Sequence, residues 1–317
     1  MKPGSTLQGV SFLVLGMLIF SLQDVAVKGI GGDYPILEIV LFRTLVALPL
    51  TLLFFRLEGG RGLPKTRQLG LEAVRGLSYF FSYTTAFMGL ASLTLADVAA
   101  IRFSGPLMIT LLSVAMLGER VGRNRWLALL VGFVGVLLIV RPGAGTFNLG
   151  SIFILISVSF YALSAILTRR LQTTDSSATM SYFSSLVYLL ATLVLVPLVL
   201  LVGERPDAHP SVAFLFRAWS LPTLPDVLIM AGLGLVWAGG MYFVARAYST
   251  AQASLIAPFE YIALPINVLW GFILWRELPG WLTWAGAALA LSSGLFVLYQ
   301  ERRERILKTT EPAQQSL

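Results

Sequence analysis

The sequence predicts an all-α membrane protein built from ten transmembrane helices. Of its 317 residues, 56% are hydrophobic and only 12% are charged, whereas soluble domains carry about 25% charge. The charged residues leave long uncharged windows at 3–23, 76–96, 142–168, 176–203, 227–245 and 278–300. Each window can span the hydrocarbon as a helix, which needs roughly 20 mainly apolar residues. A membrane β-barrel would instead show short alternating segments, so the windows indicate helices.

Hydropathy, together with the positions of Pro, Gly and charged residues, divides the chain into predicted helices 1 to 10. They run over 7–28, 35–55, 71–90, 94–117, 125–141, 150–169, 180–202, 227–248, 253–275 and 281–299. The first resembles a secretory signal, but its apolar run is too long and no small-residue cleavage site ends it. We therefore interpret it as a transmembrane helix. The long connection 203–226 contains an amphipathic patch, Phe214–Trp219, that we expect on the membrane surface.

The net charge of +7 is explained by membrane topology. With the N-terminus inside, the predicted cytoplasmic segments hold 14 Lys and Arg residues and the opposite side holds 5. Positive residues favour the cytoplasmic side, so both termini are expected there. The basic charge therefore requires no nucleic acid partner.

The composition argues against an enzyme and against a metal site. The chain has no Cys and a single His, His209, which excludes disulfides, thiolate ligands and all-histidine metal sites. It also lacks the HExxH, GxSxG and Walker lysine motifs. A membrane-embedded enzyme is thus the weaker alternative, no cofactor is expected, and any driving force must come from an ion or solute gradient.

The chain also resembles itself. Glu119 and Trp126 match Glu277 and Trp284 at a shift of 158, and Gly9, Phe20 and Lys28 match Gly150, Tyr161 and Arg169 more weakly at a shift of 141. Each half holds five predicted helices, so the second half enters the membrane from the other side. This predicts two inverted repeats, residues 1–145 and 146–300, followed by a basic tail at 301–317. Inverted repeats are typical of transporters, whose substrate site lies near the midplane between the halves.

Two corners carry a family resemblance. Leu117-Gly118-Glu119-Arg120 and Trp275-Arg276-Glu277 each follow a Pro-containing helix and lead into a glycine-rich one. This arrangement, over about 8–299, resembles the two EamA repeats of the drug/metabolite transporter superfamily, although the second corner has Arg276 where the first has Gly118. The resemblance implies that helices 1, 3, 4, 6, 8 and 9 surround a central cavity. It also implies a multi-pass protein of the bacterial inner (plasma) membrane that moves amino acids and other metabolites.

Ionised groups inside a bilayer are costly and usually face a cavity or a partner. Those deepest in the predicted helices are Arg43, Arg75, Asp97, Arg102, Arg246 and Glu260. Glu260 shares a helical stripe with Asn267, and its repeat counterpart is Arg102. We expect both charges at the cavity, as a gate or as the two poles of a site for a zwitterion; a structural ion pair is the alternative. Arg246 could bind a substrate carboxylate or pair with Glu260, and Asp97 could satisfy Arg102 locally.

Aromatic and polar side chains follow helical spacing on three further helices. They are Tyr79 and Tyr83 on helix 3, Tyr161 and Ser164 on helix 6, and Trp237 and Met241 on helix 8. Aromatic rings and Met suit a pocket for organic molecules. The alternative is ordinary helix packing, in which membrane helices use the same residues.

Proline and small residues mark backbone features. Pro106 and Pro265 interrupt corresponding helices and are predicted as hinges for alternating access, with a static kink as the alternative. Gly286, Ala290 and Gly294 form a small-residue face that could join two helices or two protomers, so the chain is expected to be a monomer or a homodimer.

Three helix-end pairs are predicted from spacing within one helix. Asp24 and Lys28 lie four residues apart, Glu38 and Arg43 five, and Glu72 and Arg75 three. We expect Asp24 to pair with Lys28 near the outer end of helix 1. We expect the two arginines to anchor helices near the interface, with a role in the cavity as the alternative for each.

Together these features predict a secondary transporter for a small zwitterionic or acidic metabolite such as an amino acid, working by alternating access. Proton coupling through Glu260 or Asp97, exchange and facilitated diffusion are equally compatible with the sequence. The alternative substrate class is S-adenosylmethionine or another nucleoside-like or cofactor-like metabolite.

Overall fold

The computed structural model describes residues 3–119, 121–140, 148–251, 253–278, 280–289, 291–293, 296 and 299, and over these it is helical without strands. The helices are α1 (Pro3–Ile30), α2 (Ile36–Leu57), α3 (Leu69–Leu90), α4 (Leu95–Ile101), α5 (Gly105–Leu117), α6 (Arg123–Val140), α7 (Leu149–Leu171), α8 (Ser177–Val202), α9 (Pro210–Ala213), α10 (Leu224–Thr250), α11 (Ala253–Ile256) and α12 (Ala263–Trp275); residues 281–289 and 291–293 are also helical. The tail 301–317, Ala290 and Gly294 lie outside the described residues.

Within the described residues, five helices are long and apolar enough to cross a membrane. They are Leu7–Ile30, Ile36–Leu57, Leu149–Leu171, Ser177–Val202 and Leu224–Thr250. Shorter apolar helices run over Gly105–Leu117, Trp126–Gly135 and Ile266–Trp275. The all-helical class is therefore confirmed, and five helices have the length and composition of membrane spans. The count of ten spans and the inverted arrangement stay predictions.

Predicted helices 4 and 9 are both interrupted in the structure. A 3₁₀ turn, Arg102–Ser104, separates α4 from α5, and a longer one, Ala257–Ile262, separates α11 from α12. Pro106 is the second residue of α5 and Pro265 is the third residue of α12. A proline lacks the N–H that a continuing helix needs but fits the first turn of a new one, so each break precedes its proline. The breaks place Arg102 and Glu260 on irregular backbone.

The two interrupted helices end in turns of the same backbone conformation, which we call corners. Gly118 after α5 has φ 66° and ψ 23°, and Arg276 after α12 has φ 57° and ψ 24°. The next residue closes each corner, because the N–H of Glu119 donates to the carbonyl of Ser113 and that of Glu277 to the carbonyl of Gly271. Glycine adopts this left-handed conformation freely, whereas arginine is strained in it. The same backbone therefore positions a glutamate after each interrupted helix.

Helices α1 and α10 pack closely against each other. A β-carbon at Gly240 would lie 2.7 Å from the Phe20 ring, and one at Gly16 would lie 2.8 Å from Val244. Glycine at both positions thus lets the two helices approach closely. The other principal contacts join α3 to α7 and place α2 between α8 and α10.

The connection between α8 and α10 folds back onto the helix ends. Phe214, in the patch predicted to lie on the membrane surface, is only 2% exposed, and its carbonyl accepts the N–H of Ile36 at 3.1 Å. The Phe214 ring is therefore packed into the protein core rather than placed on the membrane surface.

Candidate functional site

A cavity of about 80 Å³ lies where α1, α3 and α7 meet the two 3₁₀ turns. Its lining residues are Met17, Phe20, Ser21 and Asp24 of α1, Ser82, Tyr83 and Ala86 of α3, Arg102 and Gly105 at the first break, Ser157, Val158 and Tyr161 of α7, and Glu260, Ala263 and Asn267 at the second break. A water molecule needs about 10–15 Å³ of such space. The cavity therefore has room for only a few water molecules, and an organic metabolite can enter only if the walls move.

Arg102 is paired with an acid across the cavity. Its Nη1 lies 2.5 Å from Oδ2 of Asp24 on α1, and its Nη2 lies 3.4 Å from Oδ1. The Asp24 side chain is 4% exposed and the Arg102 side chain 26%. A two-point contact between guanidinium and carboxylate is a strong charge-assisted interaction. The positive charge at the first break is thus already neutralised.

Glu260, at the second break, has a different set of partners. Its Oε1 accepts hydrogen bonds from the hydroxyls of Tyr161 and Tyr248, the first at 2.9 Å. Among the described residues no Lys or Arg forms an ion pair with it. Its Oε2 faces the first residue of α5, since a β-carbon at Gly105 would lie 3.5 Å away. Glu260 therefore faces the cavity with neutral hydrogen-bond partners.

A second acceptor lies on the same side of the cavity. Asn267 is 1% exposed, and its Nδ2 lies 3.5 Å from Oδ2 of Asp24. Its Oδ1 is buried and has no hydrogen-bond partner among the described residues. A buried acceptor without a donor is uncommon and indicates a place where a ligand or water binds. Asn267 thus lines the cavity beside Asp24, but its unpartnered oxygen is enclosed by protein in this structure.

One wall of the cavity is aromatic. The ring of Tyr83 lies 5.4 Å from that of Phe20 and 4.7 Å from that of Trp237. Tyr161 completes the wall beside Glu260. Rings at these separations pack edge to face or tilted, which gives the cavity a firm surface against which a planar or apolar group can rest.

Four residues predicted for the cavity lie behind its wall. Tyr79, Ser164, Trp237 and Met241 are fully buried, and none of them lines the space. Tyr79 contacts the rings of Tyr83 and Tyr161 at 6.2 and 6.3 Å. Trp237 donates its Nε1–H to Ser185, and Ser164 donates to the carbonyl of Tyr161. Their contacts hold the lining rings in place.

Two predicted charges lie elsewhere. The Arg246 side chain is 43% exposed and pairs with Glu58 at 3.4 Å, so it does not contact Glu260. Asp97 receives hydrogen bonds from the hydroxyl of Thr94, whose Oγ1 also accepts the Asp97 N–H, and it does not pair with Arg102. Asp97 therefore stabilises the start of α4, and Arg246 links α10 to the end of α2.

The predicted pair between Asp24 and Lys28 was wrong. Asp24 bonds to Arg102, and Lys28 instead lies 2.6 Å from Glu277, which is 249 residues away in the chain. Spacing of four residues shows that the two side chains share a helix face. Their partners in the structure come from segments that pack against that face, the first 3₁₀ turn for Asp24 and the corner after α12 for Lys28. The sequence analysis consequently missed Asp24 as a cavity residue.

Tyr248 was also missed, although a signal existed. It lies eleven residues after Trp237 and seven after Met241, on one helical stripe. Extending the predicted aromatic stripe by two turns would have included it.

The predicted anchoring of Arg43 by Glu38 was wrong as well. Arg43 is fully buried, donates to Oε1 of Gln23 at 2.9 Å and lies 4.2 Å from the Trp237 ring and 4.9 Å from that of Tyr188. Arg43 thus supports the aromatic wall from behind through cation–π contacts. Arg75, in contrast, pairs with Glu72 at 3.5 Å, as its spacing predicts.

Several characterised proteins resemble this chain over nearly its whole length. It is 25% identical over 295 residues to the S-adenosylmethionine uptake transporter of Rickettsia bellii, covering 93% of this chain and 94% of the relative. It is 30% identical to the riboflavin transporter of Vibrio cholerae, covering 94% and 97%. It is also 30% identical to the pseudopaline exporter of Pseudomonas aeruginosa, covering 89% and 92%.

One crystal structure shares the fold, with a TM-score of 0.68 at 16% identity, covering 96% of this chain and 99% of that one. The sequence profile of the EamA-like transporter family matches the chain twice, over 7–141 and over 148–299. The predicted transporter of small molecules in a bacterial membrane, rather than an enzyme, is thereby confirmed. The chain belongs to the EamA-like transporter family.

Proposed function

We propose that this protein is a secondary transporter that binds a small zwitterionic metabolite, such as an amino acid, by its positively charged group on Glu260. The observation that carries the proposal is the Glu260 carboxylate, which faces the cavity with only tyrosine hydroxyls as direct partners. An ionised side chain at membrane depth is expensive, and such residues mark substrate or ion pathways. An ammonium group on the substrate would supply the missing positive charge.

The other polar groups define how such a substrate lies. The unpartnered Oδ1 of Asn267 is enclosed in this structure, and we infer that it becomes a second acceptor for the ammonium group when the cavity walls part. Arg102 is engaged by Asp24, so a substrate carboxylate reaches this arginine only by competing with that pair. We therefore infer that the ammonium group is the first anchor and that the carboxylate binds second, towards Arg102. In this proposal Glu260 and Arg102 remain the two poles of the site, and Glu260 is the more available of the two.

Alternating access follows from the proposed repeat. The halves 1–145 and 146–300 each contribute one interrupted helix to the cavity. Because the cavity has room for only a few water molecules, substrate entry requires the walls to part, and Pro106 and Pro265 at the two breaks are the proposed hinges. Glu260 is also the candidate carrier of a proton when no substrate is bound.

A larger cationic metabolite of the S-adenosylmethionine type is the second candidate. Its sulfonium and ammonium groups would satisfy Glu260, and its base would rest on the wall formed by Phe20 and Tyr83. Relatives that are S-adenosylmethionine transporters favour this alternative. The two classes differ in size, so they predict different ligands in one binding screen.

The test is thermal unfolding of the purified protein with a panel of amino acids, S-adenosylmethionine and riboflavin. A ligand that binds the folded state at 100 times its Kd stabilises it by about 2.7 kcal/mol. We expect a cationic or zwitterionic ligand to raise the Tm of the wild type and of the control Glu58→Gln, but not of Glu260→Gln. The Glu260→Gln protein should itself keep its Tm within a few degrees, because the amide oxygen still accepts from both tyrosines.

Counterflow in proteoliposomes should then be lost in Glu260→Gln and retained in Glu58→Gln. A full ligand-induced Tm shift in Glu260→Gln would show that the charge of this residue does not bind the substrate. An unfolded Glu260→Gln protein would support the alternative of a structural acid.

A further inference from the structure

A second and larger cavity lies at the other end of α1. It has a volume of about 530 Å³ and is bordered by the ends of α1 and α3, the start of α4, the turn around α9 and Glu277 after α12. It shares no lining residue with the central cavity. The predicted topology places this end outside the cytoplasm, and we refer to the space as the vestibule. Its volume lies within the usual range for small-molecule sites, about 300–1,000 Å³.

The vestibule contains more positive than negative charge among its described lining residues. Lys28 and Arg217 are cationic, and Glu277 is the one acid. Arg217 donates to the carbonyl of Gly31 and lies 5.7 Å from the Phe214 ring, so it is held at the wall by neutral partners. Among the described residues no acid forms an ion pair with Arg217, and its charge therefore favours a negatively charged ligand.

Lys28 and Glu277 bridge the two proposed halves. The ammonium group of Lys28 lies 2.6 Å from Oε1 of Glu277 and 5.0 Å from the Trp275 ring, and the two side chains are 15% and 26% exposed. The other carboxylate oxygen of Glu277, Oε2, is buried and has no hydrogen-bond partner among the described residues. Both side chains line the vestibule, so the carboxylate of a solute in this space can reach Lys28 and compete with Glu277 for it.

The vestibule is also close to the central cavity. Lys28 lies four residues after Asp24 on α1, and Asp24 holds Arg102. Four residues of helix span about 6 Å, so one helical turn separates the bridging ion pair from the ion pair inside the cavity. A solute in the vestibule would therefore be one turn from the proposed substrate site.

We propose that the vestibule is a second solute site that takes a small organic carboxylate or zwitterion, and that the solute carboxylate displaces Glu277 from Lys28. Arg217 attracts the carboxylate, and the released Glu277 is free to bind an ammonium group. Loss of the bridge between α1 and the corner after α12 lets the two helix ends separate. This inference rests on the proposed transport function and adds an outer binding step to it.

The absence of Cys from the chain makes a direct test straightforward. Ala91→Cys places a single thiol on the vestibule wall, and Leu221→Cys, on a residue that is 97% exposed and does not line the vestibule, is its control. Each purified protein is treated with a sulfonate-bearing and an ammonium-bearing methanethiosulfonate reagent. One unit charge about 7 Å away in water changes the local concentration of a charged probe by about threefold. We expect the sulfonate-to-ammonium rate ratio to be at least threefold higher at Ala91→Cys than at Leu221→Cys.

Second substitutions in the Ala91→Cys protein test the individual charges. Arg217→Gln should lower the ratio about threefold, and Glu277→Gln should raise it, because Lys28 loses its acid. Sodium propionate should slow modification of Ala91→Cys by the sulfonate reagent, whereas propionamide in sodium chloride of equal ionic strength should not.

A ratio equal to that of Leu221→Cys, or equal slowing by propionate and propionamide, would overturn the vestibule site. A ratio unchanged by Glu277→Gln would overturn the exchange at Lys28. Neither result bears on ligand binding at Glu260, which is measured separately by the Tm shift. Failure of the vestibule inference is therefore distinguishable from failure of the proposed function.

Discussion

The two interrupted helices have the same backbone plan but balance their charges differently. Arg102 at the first break is paired with Asp24 at 2.5 Å, whereas Glu260 at the second is held by two tyrosine hydroxyls. A buried ion pair is a closed unit, and removal of one member leaves a charge without compensation. A carboxylate with neutral partners still lacks a cation. The comparison indicates that the first break keeps the cavity in shape and that the second is available to a ligand.

The largest expected effect is that of breaking the ion pair between Arg102 and Asp24. Asp24→Asn leaves Arg102 without its acid and should lower the free energy of unfolding by about 3 kcal/mol, the lower end of the range for buried pairs, since Arg102 keeps some exposure. The measurement is chemical or thermal unfolding in detergent. The double variant Asp24→Asn/Arg102→Gln should recover most of the loss. Equal instability of the single and double variants would show that Asp24 acts through something other than Arg102.

The next effect separates the two tyrosines that hold Glu260. Tyr161→Phe and Tyr248→Phe each remove one hydrogen bond to a carboxylate, which contributes about 1.5–3 kcal/mol. Tyr161 lines the cavity, whereas Tyr248 is fully buried behind it. We expect both variants to unfold more easily. Only Tyr161→Phe should also lower the affinity for the ligand, because Tyr161 lines the cavity. Ligand titrations of the two variants measure this difference, and equal loss of affinity would contradict it.

Much of this arrangement is readable from the sequence. The uncharged windows predict the helices, and the paired prolines predict where two of them are interrupted, because both signals are local to the backbone. The repeat shift links Arg102 to Glu260, which line one cavity. Those inferences concern which residues lie at depth and on which face.

The partners of these charges could not be predicted, because they come from helices distant in the chain. Spacing favours Asp24 with Lys28, yet each finds a closer partner 78 and 249 residues away. Arg43 is enclosed by rings from α3, α8 and α10 that no single-helix pattern brings together. Helix faces follow from periodicity, whereas the choice among facing partners depends on helix packing.

A smaller effect distinguishes the two corners. The left-handed conformation costs a residue with a β-carbon about 1–2 kcal/mol relative to glycine. Gly118→Ala should therefore destabilise the protein by about 1 kcal/mol, and Arg276→Gly should stabilise it by a similar amount. Unfolding of the two variants measures both signs. If Arg276→Gly is instead destabilising, the arginine side chain makes a contact that outweighs its backbone strain.

The smallest effect concerns Arg246, which the sequence predicts at the cavity and the structure places outside it. Arg246 is 43% exposed, and in the described part of the chain its one ion-pair partner is Glu58, while its guanidinium also lies 5.8 Å from the Phe12 ring. Exposed ion pairs contribute about 0–1 kcal/mol. Arg246→Ala should therefore change stability by less than about 1 kcal/mol and leave the ligand-induced Tm shift intact. Loss of that shift would mean that Arg246 reaches the substrate in another conformation of the transport cycle. In that case the comparison between the paired Arg102 and the unpaired Glu260 would have to include Arg246, near the end of α10, as a third charge that contacts substrate.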